Sequence, residues 1–195
     1  VPVAELNVVG ELDATPRLSP DGRSIYFSST RPGSPGGYDI WTASRSSPGG
    51  RFGSPRSVAE LNTSNGEGAA HVSSDGLRVW FHRYGVGVPN STDLWTGSRS
   101  DPSAPFGSLD LLPGVNSSAD DAGPWLSADE RTIYFASNRG GGSGSFDIWM
   151  AERPDATSVF DMPVNVSAVN TSAMEGSPFL TADGLALYFT RETSS

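Results

Sequence analysis

The chain has no cysteine, no lysine and no glutamine among its 195 residues. Without Cys there are no disulfides, thiolate metal sites or Cys nucleophiles, and without Lys there is no Schiff-base chemistry. The same lack of Cys leaves the redox compartment unreadable from cysteine pairing. Histidine is nearly absent: His71 and His82 are the only side chains whose ordinary pKa lies near neutrality. No stretch approaches the roughly 20 apolar residues that cross a bilayer. No Gly-x-Ser-x-Gly elbow occurs, so the nucleophile turn of serine hydrolases is missing. The first residue is Val and no basic-then-apolar segment follows it, as expected of a chain freed of a leader or cut from a longer one. Basic charge is also short. Thirteen Arg face 22 acidic residues for a net charge of −9, which argues against a nucleic-acid backbone or an anionic membrane as partner.

What the sequence does have is turns, aromatics and repetition. It holds 23 Gly and 15 Pro, and 10% of its residues are aromatic, a balance that favours strands joined by tight turns over helices. Asp39-Ile40-Trp41, Asp93-Leu94-Trp95 and Asp147-Ile148-Trp149 recur at a spacing of 54. The tetrads Ser19-Pro20-Asp21-Gly22, Ser73-Ser74-Asp75-Gly76, Ser127-Ala128-Asp129-Glu130 and Thr181-Ala182-Asp183-Gly184 keep that period. So do Tyr26-Phe27, Trp80-Phe81, Tyr134-Phe135 and Tyr188-Phe189. Phe52, Phe106 and Phe160, with Asn62, Asn116 and Asn170, complete the pattern. Such periodicity means four copies of one supersecondary unit.

Each unit reads as four short strands. One runs into the Asp-Gly turn, the next holds the aromatic pair, the third carries Asp-x-Trp and the fourth follows the isolated Phe. A Gly-rich loop, such as 31–37 or 139–145, joins second to third. Short antiparallel strands at this repeat length are the signature of propeller blades. The expected fold is all-β, a single β-propeller domain over 1–195, most simply four-bladed. Its units are 13–66, 67–120, 121–174, and 175–195 plus 1–12. Val3-Ala4-Glu5-Leu6-Asn7 echoes Val58-Ala59-Glu60-Leu61-Asn62, so the N-terminus is expected to lend an outer strand to the last blade. A fragment of a larger ring, or a protomer that completes its last blade with another chain, is the competing architecture.

The segment from Ser19 to Phe27, followed by Arg31 and Asp39-Ile40-Trp41, resembles the WD-like propeller repeat of the TolB family, and 126–150 matches it nearly as well. The four units together extend the resemblance over almost the whole chain. It implies an extracytoplasmic bacterial setting, periplasmic or secreted, and a protein-interaction scaffold. The repeat also occurs in peptidase propellers and lyases, so it specifies the blade and not the activity.

Several repeated residues invite roles. The tetrad Asp is a turn former. The Asp-x-Trp carboxylates, with Arg31, Arg83, Arg139 or Arg191 shortly before, suggest an ion pair inside each blade. Their Trp would fill the space between blades. Asn62, Asn116 and Asn170 match the glycosylation sequon, yet turn chemistry at a blade junction explains their periodicity. Asp13, Glu67, Asp121 and Glu175 fall at one register of the first strands. If the ring closes, they converge at one mouth of the channel, where Ca²⁺ or another divalent cation would relieve their repulsion. A rim of carboxylates accepting backbone N–H bonds is the other reading of the same four. Arg17, His71, Trp125 and Phe179 are the position in the same strands that varies, a candidate ligand-binding set or the trace of unequal packing. His82 replaces a small residue and is expected at the surface or between blades.

No residue is assigned a catalytic role, because a carboxylate repeated by symmetry lacks the division of labour that acid–base chemistry needs. The function expected is a non-catalytic scaffold for a protein, glycan or small ligand. A lectin-like propeller is one alternative if Trp41, Trp95 and Trp149 are exposed. A small hydrolase or lyase at the acidic mouth is the other.

Overall fold

The computed structural model describes residues 3–86, 91–181 and 183–192. The described residues form strands and turns, and no helix among them is long and apolar enough to cross a membrane. The strands are β1 (Asp13–Leu18), β2 (Ser24–Ser29), β3 (Asp39–Ser44), β4 (Arg56–Ser57), β5 (Glu67–Val72), β6 (Arg78–Tyr84) and β7 (Thr92–Ser98). They continue as β8 (Gly107–Leu111), β9 (Asp121–Leu126), β10 (Thr132–Ser137), β11 (Asp147–Glu152), β12 (Val164–Asn165), β13 (Met174–Leu180) and β14 (Leu187–Glu192). Three sheets have four strands in chain order, β1–β4, β5–β8 and β9–β12, and the fourth is the pair β13–β14. This is the four-repeat, all-β, blade-like organisation that the sequence predicts. Contacts divide the chain into two compact units, Val1–Val79 with Gly97–Leu109 and Trp80–Thr96 with Asp110–Ser195.

Apolar residues on the second and third strands build the cores. In the first unit Ile25, Phe27, Trp41, Ala43 and Phe52 pack with Leu6. In the second, Trp80, Leu94, Leu126, Ile133, Phe135, Trp149 and Phe160 form a larger cluster. Register follows the repeat: Phe27 pairs Trp41 and Phe135 pairs Trp149, each across the second and third strands of its sheet.

The turn tetrads behave as expected. The hydroxyls of Ser19, Ser73, Ser127 and Thr181 donate to Asp21, Asp75, Asp129 and Asp183 at 2.5–2.6 Å. Each carboxylate also accepts an N–H two residues on. These bonds, the hydroxyl first, hold all four carboxyls below the usual range.

The N-terminal echo has a different outcome. Residues 3–12 contain turns and no strand. Leu6 is buried in the first sheet's core, and Glu5 Oε1 accepts the N–H of Phe52 at 3.2 Å, just as Glu60 Oε1 accepts that of Phe106. The segment therefore supplies the first sheet with what Val58–Asn62 supplies to the next repeat. A single Leu and a single Glu do this without a ladder.

Every first strand with a described pairing to its neighbour carries a bulge, between Ala14 and Arg17, opposite Tyr134–Ala136, and between Gly176 and Phe179. The left-handed residue recurs at the same register: Thr15 (φ 47), Ala69 (φ 50), Gly123 (φ 64) and Ser177 (φ 50). Only Gly123 adopts that conformation without Cβ strain. Ser177→Gly is thus expected to raise stability by about 1 kcal/mol and Gly123→Ala to lower it by about as much, measured by urea denaturation.

Candidate functional site

Arg31 and Arg139 pair with the first-strand acids Asp13 and Asp121, not with the Asp of Asp-x-Trp as expected, and Arg191 pairs with Glu175. Arg31 Nη2 donates to Asp13 Oδ1 at 2.7 Å, Arg139 Nη2 to Asp121 Oδ1 at 2.5 Å, and Arg191 Nε to Glu175 Oε1 at 2.7 Å. The expected partners, the Asp of Asp-x-Trp, do something else. Asp39 Oδ2 accepts Gly36 N at 3.0 Å, and Asp147 Oδ2 accepts Ser143 N and Gly144 N at 2.9 and 3.2 Å. They tie down the Gly-rich hairpin loop. Burial pushes the Asp39 carboxyl above its ordinary value.

The clasp is built in two ways. Asp13 and Asp121 are short, and their Arg lies 18 residues on, beyond the end of the strand. Its side chain folds back over Ser29 or Ser137, whose Oγ accepts from Nε at 2.9 or 3.0 Å. Glu175 is longer by a methylene, and its Arg lies 16 residues on, directly opposite in the ladder. Nη2 also reaches a carbonyl of the preceding segment, Leu6, Val115 or Val169, at 2.5–2.6 Å; in Arg31 and Arg139 it is the same nitrogen that holds the acid, and in Arg191 it is a second one. Each guanidinium also lies over an aromatic. Arg31 covers Phe27 and Trp41, Arg83 covers Phe81 and Trp95, and Arg139 covers Phe135 and Trp149.

The carboxylates take further donors. Glu67 accepts Thr63 N and Oγ1, Asp121 accepts Ser117 N and Oγ, and Glu175 accepts Thr171 N and Oγ1, at 2.5–3.0 Å. Burial alone would raise Glu175, but the Thr171 bonds and Arg191 together hold it below the usual range. Asp13 is lowered likewise, with Ser29, Arg31 and Val8 overcoming burial. Among the described residues no group of three or more His, Asp or Glu side chains is arranged to hold a metal ion.

The sequon Asn residues are structural. Oδ1 of Asn62, Asn116 and Asn170 accepts the N–H of Ile40, Leu94 or Ile148 at 2.8 Å, and Nδ2 donates to the same residue's carbonyl at 2.9–3.0 Å. An amide nitrogen so used does not present itself for a glycan.

The variable register resolves into two pairs. Arg17 and His71 interact electrostatically: burial first, and then the Arg17 charge, pushes His71 down to about 3. Burial also lowers Arg17 to about 10. In the other unit Trp125 meets Phe179 edge-on, with ring centres 5.9 Å apart, and Phe179 in turn lies 6.3 Å from Tyr188. Phe179 and Tyr188 are exposed. The Asp-x-Trp rings are not platforms: Trp41 and Trp149 are buried and Trp95 is half-buried.

His82 is an interblade residue. Its Nδ1 accepts the N–H of the bulge residue Gly123 at 3.2 Å, so the proton resides on Nε2. In the first unit Ser28 Oγ takes the same part for Ala69 N, at 3.3 Å. Burial lowers His82 to about 4.

A further set of arginines shares the repeat without having been expected at a site. Arg45, Arg99 and Arg153 keep the spacing of 54. Their Nε donates to the carbonyl of Gly22, Gly76 or Glu130 at 2.6–2.7 Å, and each guanidinium lies 4.1–4.4 Å from the ring centre of Phe52, Phe106 or Phe160. Arg99, Phe106, Tyr26, Arg56 and Glu60 line a pocket of about 220 Å³, whose Arg99 and Glu60 are thus already engaged.

No family model matches the sequence, and no curated protein matches it significantly. Solved structures do match. A TolB-type protein from Agrobacterium tumefaciens superposes with a TM-score of 0.59 at 20% identity, over 90% of this chain and 52% of that one. TolB from Acinetobacter baumannii gives 0.57 at 18%, over 89% and 36%. A thermostable family-43 glycoside hydrolase gives 0.60 at 14%, over 90% and 63%. The likeness to TolB-type structures is one of propeller fold. The chain spans about half of the first of these relatives and about a third of the second.

Two outcomes are expected. Arg139→Ala, which strands the buried Asp121, lowers stability by about 3–5 kcal/mol in chemical denaturation, and adding Asp121→Ala restores part of it. On acidification His82, whose folded value of about 4 lies below the ordinary 6.5, gives stability that is complete above pH 6.5 and lost as pH falls toward 4. His82→Ser, copying Ser28, flattens that part of the stability–pH curve.

Proposed function

We propose that the chain is a non-catalytic propeller unit that binds a protein or ligand outside the bacterial cytoplasm, as TolB-like scaffolds do. The observation that supports this reading most is the fate of its titratable groups. Asp13, Asp121 and Glu175 are tied to arginines on their own sheets, and His82 is spent on a backbone N–H. A glycosidase needs one carboxyl free to give a proton and another free to attack or to activate water. These carboxylates are committed to guanidinium groups. What faces outward instead is the aromatic run of Phe179 and Tyr188 beside Trp125, the kind of surface that recognition uses. The lectin alternative loses support because the Asp-x-Trp rings lie under guanidinium groups.

A divalent cation at Asp13, Glu67, Asp121 and Glu175 is the less supported component, since such an ion competes with arginine for three of them. A rise in melting temperature with Ca²⁺ that Glu175→Gln removes would support it.

Aryl glycosides and peptidyl anilides test the non-catalytic reading directly. We expect no turnover above the uncatalysed rate. Turnover that disappears in Glu175→Gln or His71→Ala would replace this reading with an enzymatic one.

A further inference from the structure

The pocket of the first unit has polar walls that the repeat does not account for. Tyr26, Thr42 and Arg56 pair across β2, β3 and β4, so they stand in one row on one face of the sheet. That row, Glu60 and the segment 99–106 after β7 line about 220 Å³. Tyr26 is 7% exposed and Thr42 is 4% exposed, yet neither hydroxyl has a hydrogen-bond partner among the described residues. Hydroxyls on side chains so buried are ordinarily bonded. Both are left for whatever polar atoms the cavity takes in.

Some of the lining belongs to the blade. Arg99 and Phe106 recur with the period of 54 and stack on each other at 4.1 Å. Arg56 and Glu60 do not recur: the counterparts of Arg56 are Asp110 and Val164, and those of Glu60 are Gly114 and Ala168. In the third sheet the row through Tyr134 continues to Met150 and Val164, apolar where the first has Thr and Arg. A residue present in every copy is explained by the blade, but a charge placed in one copy alone is not. The charges are also held in place. Arg99 Nε donates to the Gly76 carbonyl at 2.6 Å, and Glu60 Oε1 accepts the N–H of Phe106 at 3.2 Å. These bonds fix both side chains and leave Arg99 Nη2 and Glu60 Oε2 with no described hydrogen bond. Arg56 is exposed and has no described bond or ion pair. Two guanidinium groups against one carboxylate make the pocket cationic in a chain of net charge −9.

We propose that this pocket binds a small polyhydroxylated carboxylate, of the size of one hexuronic acid. Its volume falls below the ~300–1,000 Å³ that drug-sized ligands occupy, which limits the occupant to a single ring. Arg56 takes the carboxylate as a guanidinium–carboxylate pair. Glu60 Oε2 accepts from one ligand hydroxyl, and Tyr26 and Thr42 exchange hydrogen bonds with others. Side chains already fixed by the blade lose little freedom when the ligand arrives. The site goes beyond the scaffold reading: its residues all lie in the first unit, and neither Glu175 nor His71, on which the turnover test depends, lines it.

The test is a titration of D-glucuronate into the whole chain, followed by saturation-transfer NMR, with glucose and acetate as probes that lack the carboxylate or the hydroxyls. Saturable binding of glucuronate, about tenfold tighter than either, is expected. Arg56→Gln should weaken it about tenfold and Tyr26→Phe about fivefold, while the melting temperature of each free variant stays that of the parent. No saturable binding of glucuronate overturns the proposal. Equal binding of acetate also overturns it, reducing the pocket to a plain anion site, as does binding that both variants leave untouched. Tighter, variant-sensitive binding of a tri-uronide supports the site with an acidic polysaccharide as the source, and tighter binding of the monosaccharide supports it with a free sugar acid.

Discussion

The arrangement depends on a charged clasp at the root of the blade, where an acid on the first strand holds an arginine from the end of the second. The arginine has four jobs at once: it neutralises a buried carboxylate, bonds a carbonyl of the preceding segment, and covers both an aromatic of its own strand and the tryptophan of the next. Removing the acid would leave a buried guanidinium, and removing the arginine would leave a buried carboxylate with only hydroxyl and amide donors. Either loss costs more than the pair itself contributes. The clasp also explains why tryptophan follows aspartate in every complete repeat. The ring is the lid on the guanidinium, and the aspartate two residues earlier fastens the loop that brings that strand back.

Around this point the repeat uses backbone-directed side chains wherever regular pairing ends. Asn62, Asn116 and Asn170 each satisfy both the N–H and the C=O of one residue on the third strand. The next residue, Thr63, Ser117 or Thr171, turns toward the acid of the following strand. Two adjacent side chains thus join the end of one sheet to the start of the next. Short strands leave many peptide groups outside ladders, and this is how they are satisfied.

Strand order, turn tetrads and the core aromatics were legible because each follows from spacing and residue type. The clasp was not, although both halves were in view. Aligning Arg31, Arg83, Arg139 and Arg191 as equivalents hides that Arg83 and Arg191 lie at the register of Ser29 and Ser137. A guanidinium reaches far enough that the nearest acid in sequence, Asp39, need not be its partner. Proximity along the chain misled; cross-strand register decided. His82 was similarly opaque, since its role requires knowing that the bulge of the next repeat aims an N–H at it. Arg45, Arg99 and Arg153 keep a strict period but lie just beyond the ends of their strands, where strand patterning carries no signal of what a side chain meets.

The clasp takes two forms. Asp13 with Arg31 and Asp121 with Arg139 share one geometry, and Glu175 with Arg191 has the other, with Glu67 and Arg83 at the same 16-residue separation. Ala14 and Ala122 follow the aspartates, whereas Gly68 and Gly176 follow the glutamates. Acid length and arginine placement must change together, since a long acid facing the folded-back arginine, or a short one facing the in-strand arginine, misses contact. Each acid and its arginine belong to one repeat, so a copied blade carries a matched pair with it, and only an exchange of strands within a blade would separate the two.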